Sequence, residues 1–237
     1  MRTLVTGASR GLGLALCRAL DARGDDVLAA CRKANPDLAA LDVTVIEGID
    51  VADDSMRERL AQAVGGEPID LVICNAGMNH SYAQGIEELE PSLLLQEFST
   101  NTLGPLRTVQ AVLPNLRPGA KVAFISTYRP GVGLARRNYG YQSSKMALNQ
   151  AAYVLADELA ARGVATVVLS PGPMDTDLLR EIIGAGHANL TPDQANRPDA
   201  VADDLLERLD ELTLEESGAW LFRTGEPLTL PTTVFGH

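Results

Sequence analysis

Cysteine is scarce: Cys17, Cys31 and Cys74 in 237 residues are odd in number and scattered. Neither a disulfide framework nor a metal-ligand spacing follows from them, and a reducing compartment is the expectation. Histidine is as rare, with His80, His187 and His237 far apart and no metal spacing or serine partner in view. No apolar stretch approaches membrane-spanning length, and Met1-Arg2-Thr3-Leu4-Val5 runs straight into a strand pattern, leaving no place for a signal peptide. A cytoplasmic protein without membrane contact is expected. An excess of base is also lacking, since 20 Lys and Arg against 31 Asp and Glu give a net charge of −11. That balance argues against nucleic acid and anionic membranes as partners. With 46% hydrophobic and 22% charged residues, global disorder is excluded. No repeat, low-complexity tract or linker divides the chain, so one domain over 1–237 is expected, burying roughly 70% of its unfolded surface.

What is present is alternation. Short apolar runs at Thr3–Val5, Val27–Ala30, Val43–Glu47, Leu71–Cys74, Val122–Ile125, Val164–Leu169 and Ala219–Phe222 read as strands. Amphipathic stretches between them, Gly13–Arg23, Asp53–Val64, Ser92–Leu116, Gln142–Arg162 and Pro198–Leu212, read as helices. The expected fold class is α/β, a doubly wound parallel sheet of about seven strands with helices on both faces. Val164–Leu169 is apolar almost throughout, as a strand covered on both faces should be. Asp175–Arg197 has poor periodicity and reads either as a mobile segment over a site or as a surface loop.

Thr6-Gly7-Ala8-Ser9-Arg10-Gly11-Leu12-Gly13 follows the first strand and opens the first helix. Glycines there permit a tight turn and close backbone approach, so the helix N-terminus can meet a pyrophosphate. After the second strand stands Cys31-Arg32-Lys33. An acid near this point would bind a ribose 2′-hydroxyl; two bases, with Arg10 in the turn, suit a 2′-phosphate instead. Residues 1–34 as a whole carry Arg2, Arg10, Arg18, Arg23, Arg32 and Lys33 against Asp21, Asp25 and Asp26, a local basic excess in an acidic chain. These features point to NADP(H).

Tyr141-Gln142-Ser143-Ser144-Lys145 opens a long helix, and residues four apart share a face. That face continues through Leu148, Ala152, Leu155 and Leu159, so Lys145 heads a stripe that should pack inward. A buried lysine is costly unless compensated or used. An adjacent ammonium would lower the phenol pKa from about 10 and make Tyr141 a workable general acid.

The turn at Thr6–Gly13, Asn75-Ala76-Gly77 after the fourth strand, Asn101, Ser126-Thr127 after the fifth, Tyr141/Lys145 and Pro171-Gly172-Pro173-Met174-Asp175-Thr176 after the sixth, in this order, resemble the short-chain dehydrogenases/reductases. Tyr139–Asn149 and the tail Phe222-Arg223-Thr224-Gly225-Glu226-Pro227 resemble the sniffer/C-factor-like carbonyl reductases within that family. The resemblance implies reduction of an aldehyde or ketone by NADPH, or the reverse. Tyr141 would protonate the carbonyl oxygen, Lys145 would depress the tyrosine pKa and hold the nicotinamide ribose, and Asn101 would support a proton relay. The cofactor would lie along Gly7, Ser9, Arg10, Gly11, Leu12 and Gly13, with Arg32 and Lys33 at the 2′-phosphate and Asp50 and Val51 at the adenine. Asn75, Ala76, Gly77, Pro171, Gly172, Met174 and Thr176 would flank it. Pro105 lacks an N–H, so the Asn101 carbonyl would lose its helical donor and could accept from water; a helix kink is the plainer alternative.

Ser126-Thr127-Tyr128-Arg129-Pro130-Gly131 departs from the family pattern of two serines. Either Ser126 or Thr127 can donate to a substrate carbonyl. The substrate pocket is expected to draw on Asn79–Gln84, Tyr128–Asn138 and Met174–Asn196, with His80 and Tyr82 as possible substrate contacts. Two other functions compete: an NADP(H)-binding sensor with little catalysis, and an extended-branch epimerase or dehydratase, against which the Gly-x-x-x-Gly-x-Gly spacing speaks. The long helices Ser92–Leu116 and Gln142–Arg162 are the surfaces on which many relatives dimerise, so a homodimer or homotetramer is expected alongside a monomer. Cys74 and Trp220 read as core, and the acidic stretch Asp203–Glu216 as a solvated helix face.

Overall fold

A computed structural model of the protein describes residues 1–82, 84–127, 138–184 and 191–229. All seven expected strands form: β1 (Arg2–Thr6), β2 (Asp26–Ala30), β3 (Thr44–Ile46), β4 (Ile69–Cys74), β5 (Leu116–Ile125), β6 (Ala165–Ser170) and β7 (Ala219–Phe222). They make one parallel sheet in the order β3-β2-β1-β4-β5-β6-β7. The chain therefore reverses its winding direction between β1 and β4, and the carboxyl ends of those neighbours splay around a crevice where ligands bind in such sheets.

Because side chains alternate along a strand, the sheet feeds two cores. Val5, Ala29, Ile73, Ala123 and Val167 face one layer, which α1 (Gly11–Ala22) closes with Leu12, Leu16 and Leu20. Leu4, Leu28, Val72, Phe124 and Val168 face the other, against α3 (Met56–Val64) and, farther along the chain, Val109, Val112, Leu148 and Leu159. Between these elements lies a four-residue helix, α2 (Pro36–Ala39), whose N-cap Asn35 accepts from the Leu38 N–H.

The single helix expected over Ser92–Leu116 is four pieces. α4 (Pro91–Phe98) runs into a π-turn (Ser99–Leu103), then α5 (Gly104–Val112) and a short 3-10 turn (Leu113–Asn115). The cause is local. Pro105 has no N–H to donate, and the Gly104 N–H reaches back five residues to the Ser99 carbonyl, widening the coil at Asn101. α6 (Tyr139–Ala160) buries Leu148, Ala152 and Leu159, with Lys145 at the head of the stripe. Segment 175–197 is not simply a loop, since Asp177–Gly184 forms α7. α8 (Pro198–Glu211) seals the first layer beside α1 with Val201, Leu205 and Leu209, and Asp203, Glu207 and Asp210 lie exposed on its outer face. Cys74 is buried, while Trp220 is half-buried against the second layer. Leu95, Leu103, Tyr153 and Val154 of the α4–α5 run and α6 are exposed. Among the described residues no helix is long and apolar enough to cross a membrane.

Candidate active site

A cavity of about 790 Å³ opens at the carboxyl ends of the strands, at the switch between β1 and β4. Gly7, Ser9, Arg10, Gly11 and Leu12 form one wall. Gly7 has φ +69°, and a Cβ placed on it would stand 2.8 Å from Ala76 Cα. Gly13 sits behind this wall, where a Cβ would stand 2.2 Å from the Gly7 carbonyl oxygen and 2.6 Å from Asn75 Nδ2. Asn75 fastens the turn: its N–H donates to Thr6 Oγ1 at 3.1 Å and its amide to the Thr6 carbonyl at 3.0 Å. The Arg10 side chain makes no cap bond to α1, so the first N–H groups of that helix lack side-chain capping beside the cavity. A bare-backbone cradle at a helix N-terminus fits a dinucleotide pyrophosphate.

Farther along, Arg32, Asp50 and Val51 border the cavity, and Lys33 is exposed beside Arg32. Neither base joins an ion pair among the described residues. On the other side come Asn75, Ala76, Gly77, Pro171, Met174 and Thr176. Gly172 takes φ +75° in the turn behind them, packed against Phe222 and Arg223 rather than on the cavity wall. Arg223 ties that turn down, donating to the Pro171 carbonyl at 2.7 Å, to Asn196 Oδ1 at 3.1 Å and to Asp204 at 2.8 Å.

Tyr141, Lys145 and Ser126 meet at the inner end. Lys145 Nζ donates to the Ile125 carbonyl at 2.7 Å and stands 6.0 Å from the Tyr141 ring centre. Burial pulls the lysine down to about 8, partly opposed by the Cys74 thiol. Tyr141 departs from expectation: its phenol is pushed up to about 12, not lowered. Burial is the largest cause, the hydrogen bond with Thr127 acts the other way, and the negative charge of Glu97 adds to the rise. With its ammonium turned to a backbone carbonyl, Lys145 does not outweigh the loss of solvent. At neutral pH the tyrosine is a protonated donor. Of the two hydroxyls left open above, Ser126 Oγ is committed to Asn149 Oδ1 at 2.5 Å, whereas Thr127 is bonded to the phenol.

Asn101 is buried at the π-turn, and its amide works as a clamp. Oδ1 accepts from the Met78 N–H at 2.8 Å, while Nδ2 donates to the Met78 carbonyl at 2.9 Å and to Ser144 Oγ at 3.0 Å. Met78, Asn79 and His80 border the cavity, and His80 is exposed there. Of the expected pocket segments, 128–137, Ala83 and 185–190 lie outside the described residues, as do His187 and His237. Asp177, Leu178 and Glu181 line the cavity from within the expected 174–196 segment, but sequence reasoning missed the helix that carries them, and it missed Glu97, a wholly buried carboxylate. Both had signals. Glu97 is one helical turn before Asn101, and Leu178-Leu179 with Ile182-Ile183 has helical spacing.

A strand-turn-helix cradle with a tyrosine and lysine one turn apart beyond it defines an oxidoreductase site, and the chain belongs to the short chain dehydrogenase family, whose pattern matches residues 2–185. It is 35% identical over 226 residues to the 1-hydroxy-2-glutathionyl-2-methyl-3-butene dehydrogenase of Rhodococcus sp. (strain AD45), covering 94% of this chain and 96% of that protein. The C-signal protein of Myxococcus xanthus is 35% identical over 156 residues, 64% of this chain and 86% of that one. Among solved structures, the NADPH-bound carbonyl reductase from chicken fatty liver superposes with a TM-score of 0.81 at 25% identity, covering 96% of this chain and 98% of that one. The carbonyl reductase Sniffer of D. melanogaster shares the fold, with a TM-score of 0.79 at 23% identity over 96% of this chain and 98% of that one.

Proposed function

We propose that the protein is an NADPH-dependent carbonyl reductase, with Tyr141 as the proton donor. The observation that carries this reading is the Tyr141 phenol, hydrogen-bonded to Thr127, in the same cavity as Lys145 and the glycine-turn phosphate cradle. NADPH, when bound, would supply a hydride to the carbonyl carbon. Tyr141 gives its proton to the carbonyl oxygen, so the alkoxide is never released into the cavity. Thr127 orients that oxygen by a hydrogen bond, and Lys145 holds the nicotinamide ribose and brings positive charge toward the phenol as it loses its proton. Asn101 holds Met78 in place at the cavity wall. The name of the Rhodococcus relative is that of a dehydrogenase acting on an alcohol that bears a glutathionyl group, so glutathione conjugates belong in the substrate panel.

Arg32, with Arg10 and Lys33 nearby, would take the 2′-phosphate. Arg32→Asp is expected to weaken NADPH binding about 10- to 100-fold, the loss of one charge-assisted hydrogen bond of roughly 1.5–3 kcal/mol, with NADH binding spared. Fluorescence titration of the two cofactors reads this directly, and equal losses for both would remove Arg32 from the 2′-phosphate site. A polar recognition element faces the substrate as well. Asn79 is 1% exposed on the cavity wall, and neither atom of its amide has a hydrogen-bond partner among the described residues. A substrate hydroxyl, amide or carboxylate would satisfy it. Asn79→Ala is expected to raise KM about tenfold with kcat kept, the value of one hydrogen bond; an unchanged KM for every polar substrate would contradict this.

The C-signal relative keeps a second reading in play, binding of NADP(H) for signalling with little turnover. Steady NADPH consumption with any carbonyl separates the two.

A further inference from the structure

Glu97 enters the chemistry above only through its charge near the phenol, yet it is 0% exposed beside the reacting end of the cavity. Three donors converge on its carboxylate. The Ser81 N–H lies at 2.8 Å and the His80 N–H at 2.5 Å from Oε1, and Ser81 Oγ donates to Oε2 at 2.7 Å. Ser81 Oγ in turn accepts from the Gly140 N–H at 3.2 Å, in the first turn of α6, one residue before Tyr141. The join is tight: a Cβ on Gly140 would stand 1.9 Å from Glu97 Oε2 and 2.8 Å from Ser81 Oγ. Residue 140 therefore has no room for a side chain. Burying a carboxylate costs several kcal/mol unless donors replace its water, and here all three donors come from His80 and Ser81, in the segment that borders the cavity.

We infer that Glu97 is a positioning residue: through Ser81 it latches the cavity segment 78–81 to the first turn of α6 and so fixes where the Tyr141 hydroxyl stands, a role that rests on Tyr141 being the proton donor. Glu97 and Asn101 lie four residues apart and share the work. Asn101 holds Met78 and, through Ser144, whose hydroxyl donates to the Tyr141 carbonyl at 3.0 Å, the next part of the same turn. Glu97 holds the other end of the segment and the residue before the tyrosine. The latch also brings a negative charge toward the phenol, in the direction that keeps it protonated. The other titratable or charged groups around this end are Lys145 on α6, Cys74 on β4, His80 on the segment itself, and Asp177 and Glu181 on α7.

Position and charge separate by mutation. Gly140→Ala and Ser81→Ala displace or cut the latch without touching Tyr141. Each is expected to lower kcat for NADPH-dependent reduction of 4-nitrobenzaldehyde about 10- to 100-fold, the cost of misplacing a reacting group by about 1 Å, with NADPH affinity kept. Shortening the carboxylate relieves the clash, so Glu97→Asp with Gly140→Ala should be more active than Gly140→Ala alone. Glu97→Gln keeps the shape and removes the charge, and the alkaline fall in reduction rate should begin at lower pH than in the native protein. In the cofactor-free protein, hydrogen exchange over 78–82 and 138–142 should quicken in Ser81→Ala, a reading independent of turnover. Wild-type kcat in both Ser81→Ala and Gly140→Ala, with Tyr141→Phe inactive, would overturn the latch alone. Activity surviving in Tyr141→Phe would overturn the mechanism on which it rests.

Discussion

Tyr141→Phe is expected to lower kcat for carbonyl reduction about 10²- to 10⁴-fold, the range general acid catalysis contributes, with NADPH affinity unchanged. The ring fills the same space in the variant, so the cavity wall keeps its shape. What disappears is the hydroxyl bonded to Thr127. The neighbouring hydroxyl and ammonium are engaged elsewhere: Ser126 Oγ is held by Asn149, and Lys145 Nζ is directed at the Ile125 carbonyl. Steady-state kinetics beside a fluorescence titration of NADPH distinguishes this from a folding defect. A variant that binds NADPH and still reduces carbonyls at the native rate would discard Tyr141 as the donor.

Gly13→Ala should abolish useful cofactor binding and destabilise the fold, although it adds one methyl group. That methyl would stand 2.2 Å from the Gly7 carbonyl oxygen and 2.6 Å from Asn75 Nδ2. Both are pinned, Gly7 by its turn and Asn75 by its bonds to the Thr6 backbone and the Gly7 carbonyl. Relief must come from moving α1 away from β1, which opens the cradle and disturbs Leu12 and Leu16 in the core. Overpacking of this kind costs about 1–3 kcal/mol, which in a chain of this size lowers Tm by several degrees. Gly66→Ala, where nothing lies within 4 Å of the added Cβ, is the matched control and should leave Tm unchanged. Calorimetry of both variants, with and without NADPH, tests the claim. A Gly13→Ala protein that NADPH stabilises as it does the native one would contradict the tight packing of the cradle.

The sheet was legible because each strand is a short apolar run between polar turns, and the parallel order follows from the helices between them. Helix interiors were less legible. Pro105 announces a disturbance near Asn101, but whether a helix kinks or widens depends on where the Gly104 N–H finds a carbonyl. α7 was hidden by the glycines and prolines around it, although its apolar spacing was present. At the site, motif residues gathered as their order implied, with Gly7, Arg32, Asn75, Ser126, Tyr141, Lys145 and Pro171 around one cavity. What motifs cannot carry is the state of a proton. The spacing of Tyr141 and Lys145 led to an expected fall in the phenol pKa, and the three-dimensional surroundings reversed it through burial and Glu97. Glu97 itself was invisible for a similar reason, since an acid in an amphipathic helix is read as surface until the segment that covers it is known.

NADPH oxidation followed at 340 nm across aldehydes, ketones, quinones and glutathione-conjugated carbonyls, with NADH in parallel and the alcohol product quantified, tests the central claim most directly. The expected result is turnover with NADPH preferred, one alcohol formed per NADPH consumed, and none of it in Tyr141→Phe. NADPH bound tightly but unconsumed with every carbonyl would contradict the reductase reading and favour a binding protein.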